Sequence, residues 1–519
     1  MASAGPAVLL TLAASLAAQA AHAQTSGGTG LSVVPRISLT QTWTDNLQQN
    51  NTGASGGGGG SGSGGGNISG AKDAALITNV APGVSITSRA GRIRGSLDYA
   101  LNGILYIKTE QKNRVQHLLS ANAVAELLEN TLFVDTQASI TQQAASAFGR
   151  QTADSTLSNA NLNQLATLSV SPYLRGRLGG FATVDLRGNM AETKTKDSIT
   201  GDSRTTGGSL NISSIGSGLL GWYVTGTSLM TSFKAGTGHR SSSGNVGLRY
   251  KPDTDLRVGV SGGLERNDLQ GTGDNSSTTY GVNAQWTPSP RTTLAADWQK
   301  HNYGNAHTFS LDHRLARSAW HIADSQSVNL GAGTGAAGVR SNYDLLFLQY
   351  ASQEPDPVKR DQLVRATLQS LGLSADAVST TGFISASPTL LRRREFSFSL
   401  QALRTTLTAM LSRSNSQRLG AATASGDDFS QTTRIVQRSA SLSAGHRLTP
   451  ESTLTVSLSE QRSQGDTAAQ STTLRSVLAN WGGRLGRKTS VSLGARHSTF
   501  EGLVPYSENA LFATLIQQF

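Results

Sequence analysis

Arginine is the residue type through which this chain could do chemistry. Arg94, Arg175, Arg187, Arg249, Arg257, Arg404 and Arg496 fall on the hydrophilic side of alternating segments, among Ser, Thr and Asn. If that side lines a lumen, its positive charge attracts anions or an acidic polysaccharide. The opposing reading is internal pairing with Asp98, Asp185, Glu265 and Asp297, which would brace the wall with no role in transport. The residues alone leave both open. The formal net charge of +11 and a pI near 10 agree with anionic partners. Nucleic acid is not expected, because no binding fold or basic–aromatic interleaving accompanies the charge.

Catalytic and metal chemistry find no comparable support. The chain has no cysteine, so thiol catalysis, disulfides and Cys-ligated metals are excluded. Gly53-Ala54-Ser55-Gly56-Gly57 matches the nucleophile-elbow string but sits in a Gly/Ser run without strand–turn–helix context. Gly333-Thr334-Gly335-Ala336-Ala337-Gly338 matches GxGxxG by spacing, without the βαβ unit a dinucleotide needs. The nine histidines are scattered; His313 and His321, flanking one short turn, are read as solvated. No catalytic residue, metal ligand or cofactor is assigned, and a non-enzyme is expected.

The elements that must hold those arginines are strands. Leu256, Val258, Val260 and Leu264 alternate with Arg257, Ser261, Glu265 and Asn267. Ala182, Val184, Leu186 and Met190 alternate in the same way with Thr183, Asp185, Arg187 and Asn189. Side chains on a strand point alternately to its two faces, so each segment has one apolar and one hydrophilic face. About 22 such segments (range 16–24) follow from Pro35 to Phe519. Short connections such as Pro252-Asp253-Thr254 alternate with longer polar ones such as 143–162. This rhythm, with segments long enough to cross a bilayer at a tilt, predicts an all-β, antiparallel outer-membrane β-barrel over 35–519.

Composition fits that reading. Charged residues are 15% and hydrophobics 37% of 519 residues, against about 25% charged in soluble proteins. Mean hydropathy is −0.24, which excludes a bundle of membrane helices. Residues 1–23 read as a secretory signal peptide: an apolar run over 7–21 leads to Ala21-His22-Ala23, an A-x-A cleavage pattern. Residues 24–34 are expected as a periplasmic N-terminal segment. Leu511, Ala513, Leu515 and Phe519 alternate to the last residue, and Phe519 is the expected assembly signal for the barrel-insertion machinery. Trp222, Trp286, Trp298, Tyr250 and Tyr280 stand where interfacial girdles sit, so outer-membrane lipid and lipopolysaccharide are expected neighbours.

Two segments break the rhythm. Residues 53–66 are a Gly/Ser-rich flexible loop by composition. Over 341–373, Ser341 with Asp344, Pro357 in a first turn, Leu363, Val364, Leu368 and Leu371 at helical spacing and Gly372 predict a short α-helical insertion. It would serve as plug or cap, on the outer side by strand parity.

The strings Arg36-Ile-Ser-Leu-Thr-Gln-Thr-Trp-Thr-Asp-Asn46, Arg94-Gly-Ser-Leu-Asp-Tyr99 and Asn130-Thr-Leu-Phe-Val-Asp135 resemble the PEP-CTERM-system-associated outer-membrane β-barrel proteins. So do Pro355-Asp-Pro-Val-Lys-Arg360 and Leu390-Leu-Arg-Arg-Arg-Glu395. The resemblance implies a Gram-negative cell with an exosortase-type sorting system and a neighbourhood of exopolysaccharide genes. It carries over no catalytic residue and no substrate. The expectation is a pore or export component for exopolysaccharide or PEP-CTERM proteins. The alternatives are an outer-membrane enzyme acting on lipid or protein, and a secreted soluble β-rich adhesin.

Overall fold

The computed structural model describes residues 30–49, 72–88, 91–107, 109–196, 200–216, 218–269, 273, 275–330, 382–421 and 427–519. Between 331 and 381 it describes only Leu346, Phe347, Tyr350, Arg360 and Val364. Signal residues Ala21 and Ala23, the 53–66 tract and both glycine strings lie outside these residues.

Twenty-two strands make up the fold. The first seven are β1 (Leu31–Thr44), β2 (Ala75–Ser88), β3 (Ile93–Ile107), β4 (Arg114–Leu128), β5 (Leu132–Ala144), β6 (Leu162–Leu178) and β7 (Ala182–Thr195). Next come β8 (Ser203–Ser214), β9 (Leu220–Phe233), β10 (His239–Tyr250), β11 (Leu256–Asn267), β12 (Asn275–Ser289), β13 (Thr292–His301), β14 (Gly304–Arg314) and β15 (Ser318–Asn329). The last are β16 (Thr389–Gln401), β17 (Thr405–Arg418), β18 (Arg434–Thr449), β19 (Ser452–Gln464), β20 (Ser471–Arg484), β21 (Thr489–Glu501) and β22 (Tyr506–Gln518). Each pairs antiparallel with its sequence neighbours, and β1 pairs with β22 from Arg36↔Gln518 to Thr44↔Ala510. The sheet closes on itself. No strand is left with an open edge.

Burial is inverted relative to a soluble protein. On β11, Val260 is 52% and Leu264 68% exposed, while inward Glu265 and Asn267 are 6% and 2% exposed. Such an apolar exterior is stable only in lipid, and a closed barrel satisfies every ladder hydrogen bond there. Trp222, Tyr250 and Trp286 stand outward at one end of the strands. Tyr280 and Trp298 pack at 5.8 Å higher on the same face. The protein is an integral outer-membrane barrel, not a soluble β-rich adhesin.

The longest connections all gather at one end, with the short 302–303 and 502–505 turns among them, and every connection at the other end is five residues or fewer. The long-loop end is extracellular by the usual barrel rule, which puts the start of β1 in the periplasm. One sequence expectation needs correction. β1 begins at Leu31, so the last residues of the expected 24–34 segment belong to the wall. Pro35 lacks a donor but does not end the strand, since its carbonyl still accepts from the Phe519 N–H at 3.0 Å. The helical insertion expected over 341–373 lies mostly outside the described residues; no continuous helix is seen, but the five residues described there, Leu346, Phe347, Tyr350, Arg360 and Val364, are all in α-helical conformation.

Candidate functional site: a lumen crossed by its own loop

Register with Asp98 and its neighbours sets which positions face inward. The lumen wall is mostly Ser, Thr, Asn and Gly, with charge in three places. At the periplasmic end, Arg94, Arg249 and Arg257 face inward, as expected. Arg177, Arg447 and Arg484 join them at equivalent heights. Among the described residues none of these six has a carboxylate partner; Arg249 lies 5.4 Å over the Tyr223 ring.

Midway up the wall the arginines are paired instead. Arg187 meets Asp135 at 2.7 Å and lies 4.2 Å over Tyr173, and Arg175 meets Asp185 at 3.5 Å. Arg36, which the sequence reading had not singled out, forms a two-pronged bond to Asp98 at 2.7 and 2.8 Å. The basic face is thus unpaired at the periplasmic end and paired with carboxylates higher on the wall. Arg404 is the exception. It sits in the exposed 402–404 turn between β16 and β17 and does not line the wall, because β16 ends at Gln401 and three residues are needed to reverse the chain.

The third charged place is the outer mouth, and here the structure holds a feature that sequence reading missed. The β5–β6 connection, residues 145–161, is not an outside loop. It folds inward and crosses the barrel. Near its start, Ser146 Oγ and the Ala147 N–H donate to Asp428 at 2.6 and 2.7 Å, and Ala147 packs with Phe429 and Ile435. Further along, the Tyr506 hydroxyl donates to the Gln151 carbonyl at 2.7 Å, and Arg496 meets Asp154 at 2.8 Å. Tyr106 and Arg114 donate to the carbonyls of Thr156 and Ser155, both at 2.7 Å. Leu157 is fully buried with Leu47, Ile77 and Ile104.

The loop is also built internally. Asn161 accepts from the Ser146 N–H and donates to the Ser146 and Arg150 carbonyls at 2.9–3.1 Å. A Cβ on Gly149 would meet the Asn161 amide at 2.4 Å, so only glycine lets the chain pass there. Asp154 caps its own turn, accepting from the Thr156 N–H and hydroxyl at 2.9 Å. Segment 382–388 braces the same mouth: the Ile384 N–H donates to Ala144 O, and Ser385, Ala386 and Ser387 all donate to Asp427.

Arg496 is the pin of this assembly. Its side chain is 8% exposed, and it holds both Asp154 and Glu508, the latter fully buried, at 2.8 Å. Removing one member of a buried ion pair leaves unpaired charge and costs about 3–5 kcal/mol. Arg496→Gln is therefore expected to make the loop a protease target and to lower the temperature at which the unboiled barrel band is lost on gels.

The loop carboxylates also fix a pH response. Burial alone would raise the Asp154 carboxyl, but Arg496 and the Thr156 donors outweigh it and hold it below the usual carboxylate range. Such a group stabilises the fold above the unfolded value of about 3.9 and loses that contribution as pH falls through the depressed folded value. Burial and the charge of Asp427 push the Asp428 carboxyl up, so acid relieves strain there. Conductance is thus expected to stay flat from about pH 7 to pH 5 and to rise only below about pH 4.

The two large apolar residues of a stretch otherwise made of small and polar ones, Phe148 and Leu157, were the signal available in the sequence for an inward loop. The histidine reading is also corrected. His321 is 4% exposed and bonded to Asp312 at 2.9 Å, while His313 lies on the opposite face and bonds Thr292. The three-residue Leu315–Arg317 turn between them hid the fact that adjacent strands place these two rings on different sides. Phe519 follows β22 directly, tied to Pro35.

No protein-family model matches the chain, and no curated protein matches it. Solved barrels do resemble it. The FrpB iron transporter of Neisseria meningitidis is 10% identical over 94% of this chain and 81% of that one, with a TM-score of 0.46. The siderophore receptor PirA of Acinetobacter baumannii is 10% identical over 95% and 81%, at 0.45. OccK11 (OpdR) of Pseudomonas aeruginosa is 10% identical over 94% and 96%, at 0.32. The barrel assignment rests on the strand pairing itself and not on these likenesses.

Proposed function

We propose that this barrel is a channel that draws anionic solutes from the periplasm and is narrowed by its own 145–161 loop. The observation that carries the reading is that loop, pinned across the lumen by Arg496, Tyr506 and Asp428. A barrel of 22 strands is too wide for wall side chains to fill, so an obstruction is what separates a controlled passage from a leak. The six inward arginines at the periplasmic mouth supply the attraction for anions, since a ring of one sign concentrates counter-ions. The resemblance to PEP-CTERM-associated barrels points the cargo towards exopolysaccharide or sorted surface proteins. Phe519 serves in this reading as the signal to the insertion machinery. The Gln401 amide donates to the Tyr350 hydroxyl at 2.8 Å at the periplasmic end of β16, so Tyr350 narrows the lumen at that point in this reading.

Reversal potentials in planar bilayers under a KCl gradient test the reading. Anion selectivity is expected, and it should fall in the triple variant R94Q/R249Q/R257Q. Cation selectivity, or a triple variant as selective as the parent, would reject it.

A further inference from the structure

Outside the barrel, four arginines stand in one row across four strands. Arg394 on β16 is directly opposite Arg413 on β17, Arg413 opposite Arg438 on β18, and Arg438 opposite Arg462 on β19. They share the outward face with Leu411, Leu442 and Leu458, which are 42–50% exposed. Directly opposed like charges repel, so a row of this kind costs stability unless an anion bridges it. The wall supplies anions only at its two ends. Asp324 serves Arg392 at 2.8 Å and Arg394 at 3.3 Å, and Glu460 and Glu501 are both taken by Arg475. Asp466, above the row, accepts from Thr432 and Thr433. Among the described residues, Arg413, Arg438 and Arg462 have no carboxylate partner.

The height of the row identifies the missing anion. On β18 the outward series runs from Leu448 to Arg438, about ten residues or roughly 34 Å of strand. At a tilt of about 40° that is roughly 26 Å along the membrane normal, close to the thickness of the apolar band. The row therefore lies at the headgroup level of the outer leaflet, with leucines directly beneath it. Phosphate, the anion of lipid headgroups, is one that guanidinium groups bind in two-pronged fashion through paired N–H donors. Four arginines at strand spacing span about 14 Å, enough for more than one phosphate.

We propose that this row is a binding site for lipopolysaccharide, with the lipid A phosphates bridging Arg413, Arg438 and Arg462 and the acyl chains lying on the leucines below. The site is separate from the lumen and does not depend on what the channel carries.

Native mass spectrometry of the barrel in detergent tests this, with lipid A in bisphosphorylated and dephosphorylated forms and inorganic pyrophosphate as probes. The bisphosphorylated form is expected to bind at least tenfold more tightly than the dephosphorylated one. The double variant R413Q/R438Q should lose that preference, and R413K/R438K should retain most of it. Heat-modifiable migration checks that both variants fold. Equal binding of the two lipid forms by the parent protein overturns the proposal even if a variant fails to fold. So does a folded R413Q/R438Q that still discriminates, or pyrophosphate competing as well as the lipid, which would make the row a site for soluble phosphate.

Discussion

Excising residues 146–160 is expected to raise single-channel conductance several-fold while the barrel still assembles. The cut is geometrically mild. β5 and β6 pair through Ala144↔Leu162, and the Ala145 N–H already donates to Asn161 O at 2.7 Å. A two-residue Asn-Gly link can therefore close the hairpin. The deletion removes the groups that Tyr506, Arg496, Tyr106 and Arg114 hold, and uncovers Ile77, Ile104 and Phe429. Stability falls, but the ladder of strands stays intact. Entry of large antibiotics into cells carrying the variant gives an independent readout. A folded deletion variant with parental conductance would mean that the lumen is obstructed elsewhere.

The second large effect separates the two faces of one strand. Val260→Arg puts a charge into lipid near the middle of β11, where the cost is about 2–4 kcal/mol. Ser261→Arg, one residue on, points into a polar lumen and should cost little. Folded yield in lipid vesicles, read from unboiled gels, is expected to drop for the first and hold for the second. Equal yields would contradict the lipid-facing assignment of Val246, Val260 and Val282, which stand together on that face.

Period-two patterning made the wall legible because each strand obeys it locally. Val258 with Arg257, or Leu186 with Arg187, reveals two faces without knowledge of any partner. The strand count and the inward arginines followed from that alone. The mouth was not legible for a different reason. What Asp154 does depends on Arg496, more than three hundred positions away in the chain, and Ser146 depends on Asp428 in the same way. No local pattern encodes a pairing across a lumen. Arg404 was misplaced because alternation says which side a residue takes but not where a strand stops. The arginine row was equally hidden: each member looks like an isolated charge until the register sets Arg413 between Arg394 and Arg438.

The seam between β1 and β22 has a consequence for how the protein is made. Thr44 donates to buried Glu508 at 3.0 Å across 464 positions, so the first hairpin waits for the last strand before its wall is complete. Until β22 arrives, the nascent sheet offers two unpaired borders and an apolar exterior to an aqueous compartment, the combination most prone to indiscriminate association. A chain that loses its final hairpin to proteolysis is therefore a sticky fragment and not a smaller barrel. Demand for periplasmic holding chaperones should scale with the time the complete polypeptide spends in transit, because no intermediate along the way can bury itself.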